Sequence, residues 1–357
     1  MKALIAMSGG VDSSVAACLM HEQGWECIGI TMKLYHNEDI GVCSSHTCCS
    51  LDDVEDARAV AYQIGMPYYV FNFTEKFREC VNDPFISAYE NGKTPNPCIA
   101  CNRYLKFEKL YQRARELGCE KIVTGHYARI EQDPETSKYL LKKAVDLTKD
   151  QSYVLYNLNQ EQLRHTAFPL GSMTKVESRE IAEAHDFINA RKHDSQDICF
   201  APDGDYVGFM ERFKGVTFPE GDFVDLSGKV IGRHKGIVHY TIGQHRGLGA
   251  DFAGPMYVCK IDPLKNQVVL GAKEDLYSRE CAAGPFHWIS GEAPDGPIRC
   301  KAKVRYRQIE QWATATPMED GSVKLLFDEP QRAITPGQAA VLYDGDIVLG
   351  GGPILRT

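Results

Sequence analysis

The 357-residue chain is 43% hydrophobic and 25% charged, enough apolar residue for a full core and too long for one average domain, which excludes a disordered chain and predicts two or three domains. Its formal charge of −8, taken alone, argues against a nucleic-acid partner, although the later segments hold basic stretches that the total conceals. No apolar run approaches the roughly 18 residues that span a bilayer, and 13 cysteines, two adjacent at Cys48 and Cys49, with no leader pattern predict reduced thiols in the cytoplasm, where cysteine serves chemistry or packing.

In chain order, residues 3–7, 27–32, 68–71 and 121–124 read as strands, separated by helical patterns at 14–23, 51–64 and 105–117. That alternation predicts an α/β domain with a parallel sheet and helices on its faces. Beyond residue 200 the texture changes to short β-type runs, such as 268–270, 301–304, 323–327 and 339–342, parted by Gly, Pro and Asp. These predict antiparallel β structure ending in a small barrel. The expected division is an α/β domain over 1–200, a central mixed or β domain over 201–280, and a C-terminal antiparallel β-barrel over 281–357.

Directly after the first strand, Ser8-Gly9-Gly10-Val11-Asp12-Ser13-Ser14 opens the first helix. Two glycines allow a sharp turn and close approach to an anion, two serines add hydroxyls, and the helix start contributes free amides and its dipole. The pattern is a phosphate or pyrophosphate cradle without the Gly-Lys-Ser/Thr of a Walker A loop or the spaced glycines of a dinucleotide fold. Asp12 is a candidate Mg²⁺ ligand, with a helix-capping carboxylate as the alternative. Met32 ends the second strand, where a doubly wound fold receives an adenosine, and Gly125 and His126 follow the fourth.

Thr94-Pro95-Asn96-Pro97-Cys98-Ile99-Ala100-Cys101-Asn102-Arg103 places a Cys-x-x-Cys at a helix start, which with Arg103 favours thiolate at Cys98 or Cys101. Half a zinc or iron–sulfur site, completed from Cys43, His46, Cys48 and Cys49, and a redox-only pair are the competing readings. Cys199, in Asp194-Ser195-Gln196-Asp197-Ile198-Cys199-Phe200, reads by itself as a small buried hydrophobe. In Arg299-Cys300-Lys301-Ala302-Lys303-Val304-Arg305-Tyr306-Arg307, cations at every second position predict one basic strand face, suited to a phosphate backbone, with Ala302 and Val304 inward. The acid-free stretch 232–246 reads as a surface loop that orders around RNA or simply faces solvent.

Together these motifs, with Lys149-Asp150-Gln151-Ser152-Tyr153, Tyr240-Thr241-Ile242-Gly243-Gln244-His245-Arg246-Gly247-Leu248-Gly249 and Thr335-Pro336-Gly337-Gln338-Ala339, resemble the bacterial tRNA-specific 2-thiouridylases of the PP-loop ATP pyrophosphatase group, nearly end to end. The resemblance implies adenylation of the C2 oxygen of a wobble uridine, then sulfur transfer from a persulfide on Cys199, with Cys101 as catalytic nucleophile and transient disulfide partner. It implies ATP at Ala6, Met7, Ser8, Gly9, Gly10, Val11, Asp12, Ser13, Met32 and Gly125. Contacts to tRNA are implied for Asn96, Pro97, Cys98, His126, Lys149, Asp150, Gln151, Arg305, Tyr306 and Gln338. A cysteine desulfurase or sulfur-relay protein is the implied donor. Many members carry Asp where this chain has Cys98. The segment 194–203 is the expected mobile element, since Cys199 must meet both donor and Cys101.

Overall fold

A computed structural model of the chain describes residues 1–35, 51–194, 198–201, 204–249, 252 and 254–356. Cys43, His46, Cys48 and Cys49, and residues 195–197 and 202–203 of the expected mobile element, lie outside the described residues.

Strands β1 (Lys2–Ala6), β2 (Glu26–Lys33), β3 (Tyr68–Asn72) and β4 (Lys121–Val123) are parallel. After β4 the chain leaves for a hairpin, β5 (Ala128–Gln132) and β6 (Tyr139–Lys143), and returns as β7 (Thr166–Ala167) to complete the order β3-β2-β1-β4-β7. Alternate residues of β1 feed two cores, because successive side chains point to opposite faces. Ala3 and Ile5 pack with Val15 and Ala16 of helix α1 (Val11–Glu22) and with Ala57 and Val60 of helix α2 (Leu51–Ile64). Leu4 packs on the other face with Phe77, Phe85, Leu105 and Leu110. Both faces are therefore covered, as a parallel sheet requires. The order reverses direction between β1 and β4, which opens a crevice at their carboxyl ends.

The central strands β8 (Gly221–Val224), β9 (Val230–His234), β10 (Tyr257–Asp262) and β11 (Gln267–Gly271) form a four-stranded sheet in the order β10-β11-β8-β9. Part of the 232–246 stretch expected as loop is strand β9 followed by a short helical turn, Ile237–His239, with Ile237, Val238 and Tyr240 buried. Phe223, Val258 and Leu270 belong to the same apolar cluster as Leu4 and Phe85, so the central sheet shares a core with the parallel one.

The C-terminal barrel closes through β12 (Tyr277–Ala283), β14 (Ile298–Lys303), β15 (Gln311–Pro317), β16 (Val323–Arg332), β17 (Ala339–Asp344) and β18 (Ile347–Arg356), with short β13 (His287–Trp288) against β18. Pairing of β12 with β18 closes the six long barrel strands on one another. As expected, Ala302 and Val304 turn inward, and Cys300 is buried with them. The basic strand, however, stops at Lys303, and Arg305 and Arg307 occupy the turn beyond. Unforeseen from sequence, β6 pairs with β18, so a hairpin of the N-terminal half extends the barrel sheet. No helix among the described residues is long and apolar enough to cross a membrane.

Candidate active site

A cavity of about 870 Å³ opens at the β1–β4 crevice and reaches the barrel. Of the nucleotide set, Ala6, Met7, Ser8, Gly10, Val11, Asp12, Ser13, Met32 and Gly125 line it, whereas Gly9 does not. His126, Lys149, Asp150, Gln151 and Tyr306 line the same space. Asn96, Pro97, Cys98, Arg305 and Gln338 lie outside its lining.

The Gly-rich loop is shaped by contacts within the chain. Gly9 has φ +74°, and a Cβ there would lie 2.3 Å from the Asp53 carbonyl oxygen at the start of α2. Gly125 presses on the α1 start, where a Cβ would fall 2.7 Å from Asp12 C and Ser13 N. Both glycines thus satisfy close backbone packing, in addition to any ligand approach. Gly10 is the N-cap of α1 and offers no side-chain acceptor, so first-turn amides face the cavity without a capping group. Ser13 Oγ accepts from Ser8 N at 3.1 Å. Ser14 is fully buried, donating to Gly10 O at 3.1 Å and accepting from Asn189 Nδ2 at 2.9 Å, so its hydroxyl shapes the turn.

Charged groups around the loop are interlocked. Asp12 Oδ1 accepts from Tyr127 Oη at 2.9 Å and from Lys175 Nζ at 2.7 Å. Lys175 also meets Asp194 at 2.8 Å, and Asp194 binds Lys149 at 2.8 Å and Arg179 at 2.9 Å. Burial works against the Asp194 carboxylate, but Lys149 and Lys175 prevail and hold its pKa at about 2. Lys192 reaches Asp53 at 2.5 Å and Asp56 at 2.6 Å. Burial opposes its charge, and the two carboxylates outweigh that and raise its pKa.

His126 is buried, and burial followed by the Lys106 charge pushes its pKa well below the usual imidazole range. A neutral ring accepts from Lys106 Nζ at Nε2 (3.4 Å) and therefore donates from Nδ1 to Thr124 Oγ1 (2.6 Å). Gln151 Oε1 accepts from Tyr127 N at 3.0 Å, and Asp150 Oδ1 accepts from Ala144 N at 3.1 Å. These two side chains fix the loop that carries Lys149. Lys303, one of the cations expected on the basic strand face, lines the cavity, whereas sequence reasoning singled out none of Lys106, Tyr127, Lys175 and Lys192. Of these four, Lys192 left a signal, a basic residue just ahead of the Cys199 motif.

Helical segments Pro97–Ala100, Cys101–Leu110 and Tyr111–Glu116 follow without a break, the middle one with π geometry, a feature frequent at functional sites. Asn96 caps the start, its Oδ1 accepting from Cys98 N at 3.1 Å. Cys98 is exposed and near enough to Tyr306 for its thiolate to oppose ionisation of that hydroxyl, after burial and Asp150. Cys101 and Cys199 are half-buried and pack against one apolar cluster. Neighbouring Phe200 is buried among Phe77, Phe85 and Phe209, and Tyr35 Oη donates to Cys199 O at 3.0 Å. Among the described residues, no group of three metal-ligating atoms includes Cys98 or Cys101.

Arg305 and Gln338 tie segments together. Arg305 Nη2 donates to Ile242 O (2.8 Å), Ala333 O (3.0 Å) and Thr335 Oγ1 (2.5 Å), joining the central domain to the barrel. Burial, with Arg332 adding, lowers its pKa. Gln338 Nε2 donates to Thr94 O at 2.7 Å and Thr94 N to Pro336 O at 2.9 Å, seating the segment ahead of Asn96 against the barrel.

Residues 1–203 match the tRNA methyl transferase HUP domain, 208–272 the tRNA methyl transferase PRC-barrel domain, and 278–354 the Aminomethyltransferase beta-barrel domain. The chain is 51% identical over 356 residues to the tRNA-specific 2-thiouridylase MnmA of Clostridioides difficile strain 630, covering 100% of this chain and 98% of that one. The chain belongs to the tRNA-specific 2-thiouridylase family. A second family member, MnmA of Acetivibrio thermocellus, is 49% identical over 354 residues, 99% of each chain. The N-terminal α/β unit, the central domain and the closed antiparallel barrel are the fold expected of the thiouridylase resemblance.

Proposed function

We propose that this thiouridylase-family chain thiolates the wobble uridine of tRNA at C2 at the expense of ATP. The observation that carries the reading is that one cavity is lined both by the Gly-rich loop and by Lys149 and, from the barrel, Lys303 and Tyr306. A wall of helix-start amides opposite cationic side chains suits a nucleotide and an RNA strand meeting at one point. The names of the relatives support the substrate class.

ATP would lie along residues 6–13, Met32 and Gly125, its phosphates on the first-turn amides of α1. The only proposed protein ligand for Mg²⁺ is Asp12, through Oδ2, since Tyr127 and Lys175 meet Oδ1. One carboxylate suffices for a cation that takes its remaining ligands from phosphates and water. The target uridine would leave its stack to sit beside Asn96, Pro97 and Cys98, while His126 and residues 149–151 meet the RNA backbone. The uracil C2 oxygen attacks the α-phosphorus and pyrophosphate leaves. The outer sulfur of a Cys199 persulfide then attacks C2, and AMP departs with the oxygen. Attack of the Cys101 thiolate on the inner sulfur breaks the persulfide bond, leaves C2=S and forms a Cys101–Cys199 disulfide, which an external dithiol reduces. A cysteine desulfurase or relay protein would load Cys199, and the cytoplasm, where tRNA is, would be the working compartment. The proposed division near residues 200 and 280 is supported by the three domain matches.

Nucleoside mass spectrometry of tRNA incubated with ATP, Mg²⁺ and a persulfide donor tests the reading. Wild type is expected to yield 2-thiouridine, and Cys101→Ser and Cys199→Ser none. Cys98→Ser decides whether the exposed thiol takes part. ATP turnover and tRNA binding without any thionucleoside would overturn the proposal.

A further inference from the structure

Far from the cavity, at the opposite end of α1, Cys18, Glu22 and His185 converge. Cys18 and Glu22 stand four residues apart on one face of the last turns of α1, and His185 caps the end of the helix Lys175–Ala184. The separations are 3.5 Å from Cys18 Sγ to His185 Nε2, 3.7 Å from Sγ to Glu22 Oε1, and 3.3 Å from Nε2 to Oε1. Zinc bonds of about 2.3 Å to sulfur and about 2.0 to 2.1 Å to nitrogen or oxygen, at tetrahedral angles, set ligand spacings of about 3.5 Å across sulfur edges and about 3.3 Å across the nitrogen–oxygen edge. The three donors therefore already stand close to one face of a zinc tetrahedron.

We propose that Cys18, Glu22 and His185 form a Zn²⁺ site with a fourth position open to water. Other observations on the same residues support it. The imidazole is held by stacking on Phe187, with ring centroids 5.5 Å apart and planes at 24°, and the His185 carbonyl accepts from Gln63 of α2 at 2.5 Å. Both helices present carboxyl ends here, whose partial negative charge favours a cation. Glu22 and His185 are exposed, giving the ion an entry path, and only Cys18 is buried. Binding releases the Cys18 thiol proton as the Zn–S bond forms. The same two helices are already joined at their other ends by Asp12 and Lys175, so the metal would pin both ends of the pair that frames the Gly-rich loop. This inference is independent of the thiolation reading.

The test uses the full chain, stripped with a chelator and titrated with Zn²⁺ against a chromophoric competitor, and in parallel with Co²⁺. Wild type should bind one more equivalent than His185→Gln, Glu22→Gln or Cys18→Ser, and Co²⁺ should give tetrahedral visible bands with a thiolate charge-transfer band. Loss of one ligand should weaken that site by more than about 100-fold, beyond the effect of removing an outer partner. The exposed His185→Gln and Glu22→Gln keep the test sound if Cys18→Ser folds poorly. A Cys98→Ser/Cys101→Ser/Cys199→Ser triple variant should retain the site, which separates this ion from any held by those thiols. Zinc should also raise the melting temperature of wild type and not of His185→Gln. Equal stoichiometry and spectra in wild type and His185→Gln would show a hydrogen-bonded cluster only and overturn the proposal.

Discussion

Lys175 is the residue on which the site's charges converge, at 10% side-chain exposure between Asp12 and Asp194. Removing it leaves two carboxylates facing each other's surroundings without their shared cation. Lys175→Met is expected to cost about 3 kcal/mol of stability, the scale for breaking a largely buried pair, and to weaken ATP binding; denaturant unfolding and ATP titration check both. Asp194 adds a pH dependence. Its folded pKa of about 2 lies below the ordinary 3.8, so its contribution is present above about 3.8 and lost as pH falls toward about 2. Unfolding midpoints should decline across that interval in wild type and less steeply in Asp194→Asn. From sequence, Asp12 and Lys149 were legible because they sit in motifs. Lys175 was not, because a lysine at the start of a helix ordinarily reads as solvent-facing, and only the fold brings Asp12 and Asp194 to it.

Among the elements, α1 is set by its neighbours as much as by its own residues. The sequence pattern places the start of this helix at 14, whereas it starts at Val11, because Gly10 caps it without the side-chain signal that marks most helix starts. For helix α2 the sequence pattern gives the observed bounds, since its apolar spacing is periodic throughout. Gly125→Ala should push the α1 start aside, the added carbon being 2.7 Å from backbone that has no flexible end to yield. A loss of ATP affinity of at least about tenfold, about 1.4 kcal/mol, with the fold retained by circular dichroism, is the expected result. Phe200→Ala belongs at this scale too, because its ring anchors the described residues 198–201 among Phe77, Phe85 and Phe209. It should destabilise by about 3 to 5 kcal/mol, measured by urea unfolding, and reduce thiolation by loosening the hold on Cys199.

Across the whole molecule, the seams carry residues that the resemblance assigns to tRNA. Arg305 spends one nitrogen on three acceptors from two domains. Arg305→Ala is therefore expected to lower the melting temperature together with tRNA affinity, while ATP affinity stays; a fall in tRNA affinity at unchanged melting temperature would instead mark a direct contact. Domain classes were legible from the change in texture near residue 200, and the inward Ala302 and Val304 from alternation. The joins were not, because nothing local in residues 128–143 announces a partner strand some 200 positions on. That hairpin has a practical consequence. An α/β unit excised before the barrel would present β6 without β18, exposing an open strand edge that invites pairing with another copy. Truncation would thus yield a sticky fragment, and grafting the barrel onto a different catalytic half would require transplanting residues 128–143 along with it.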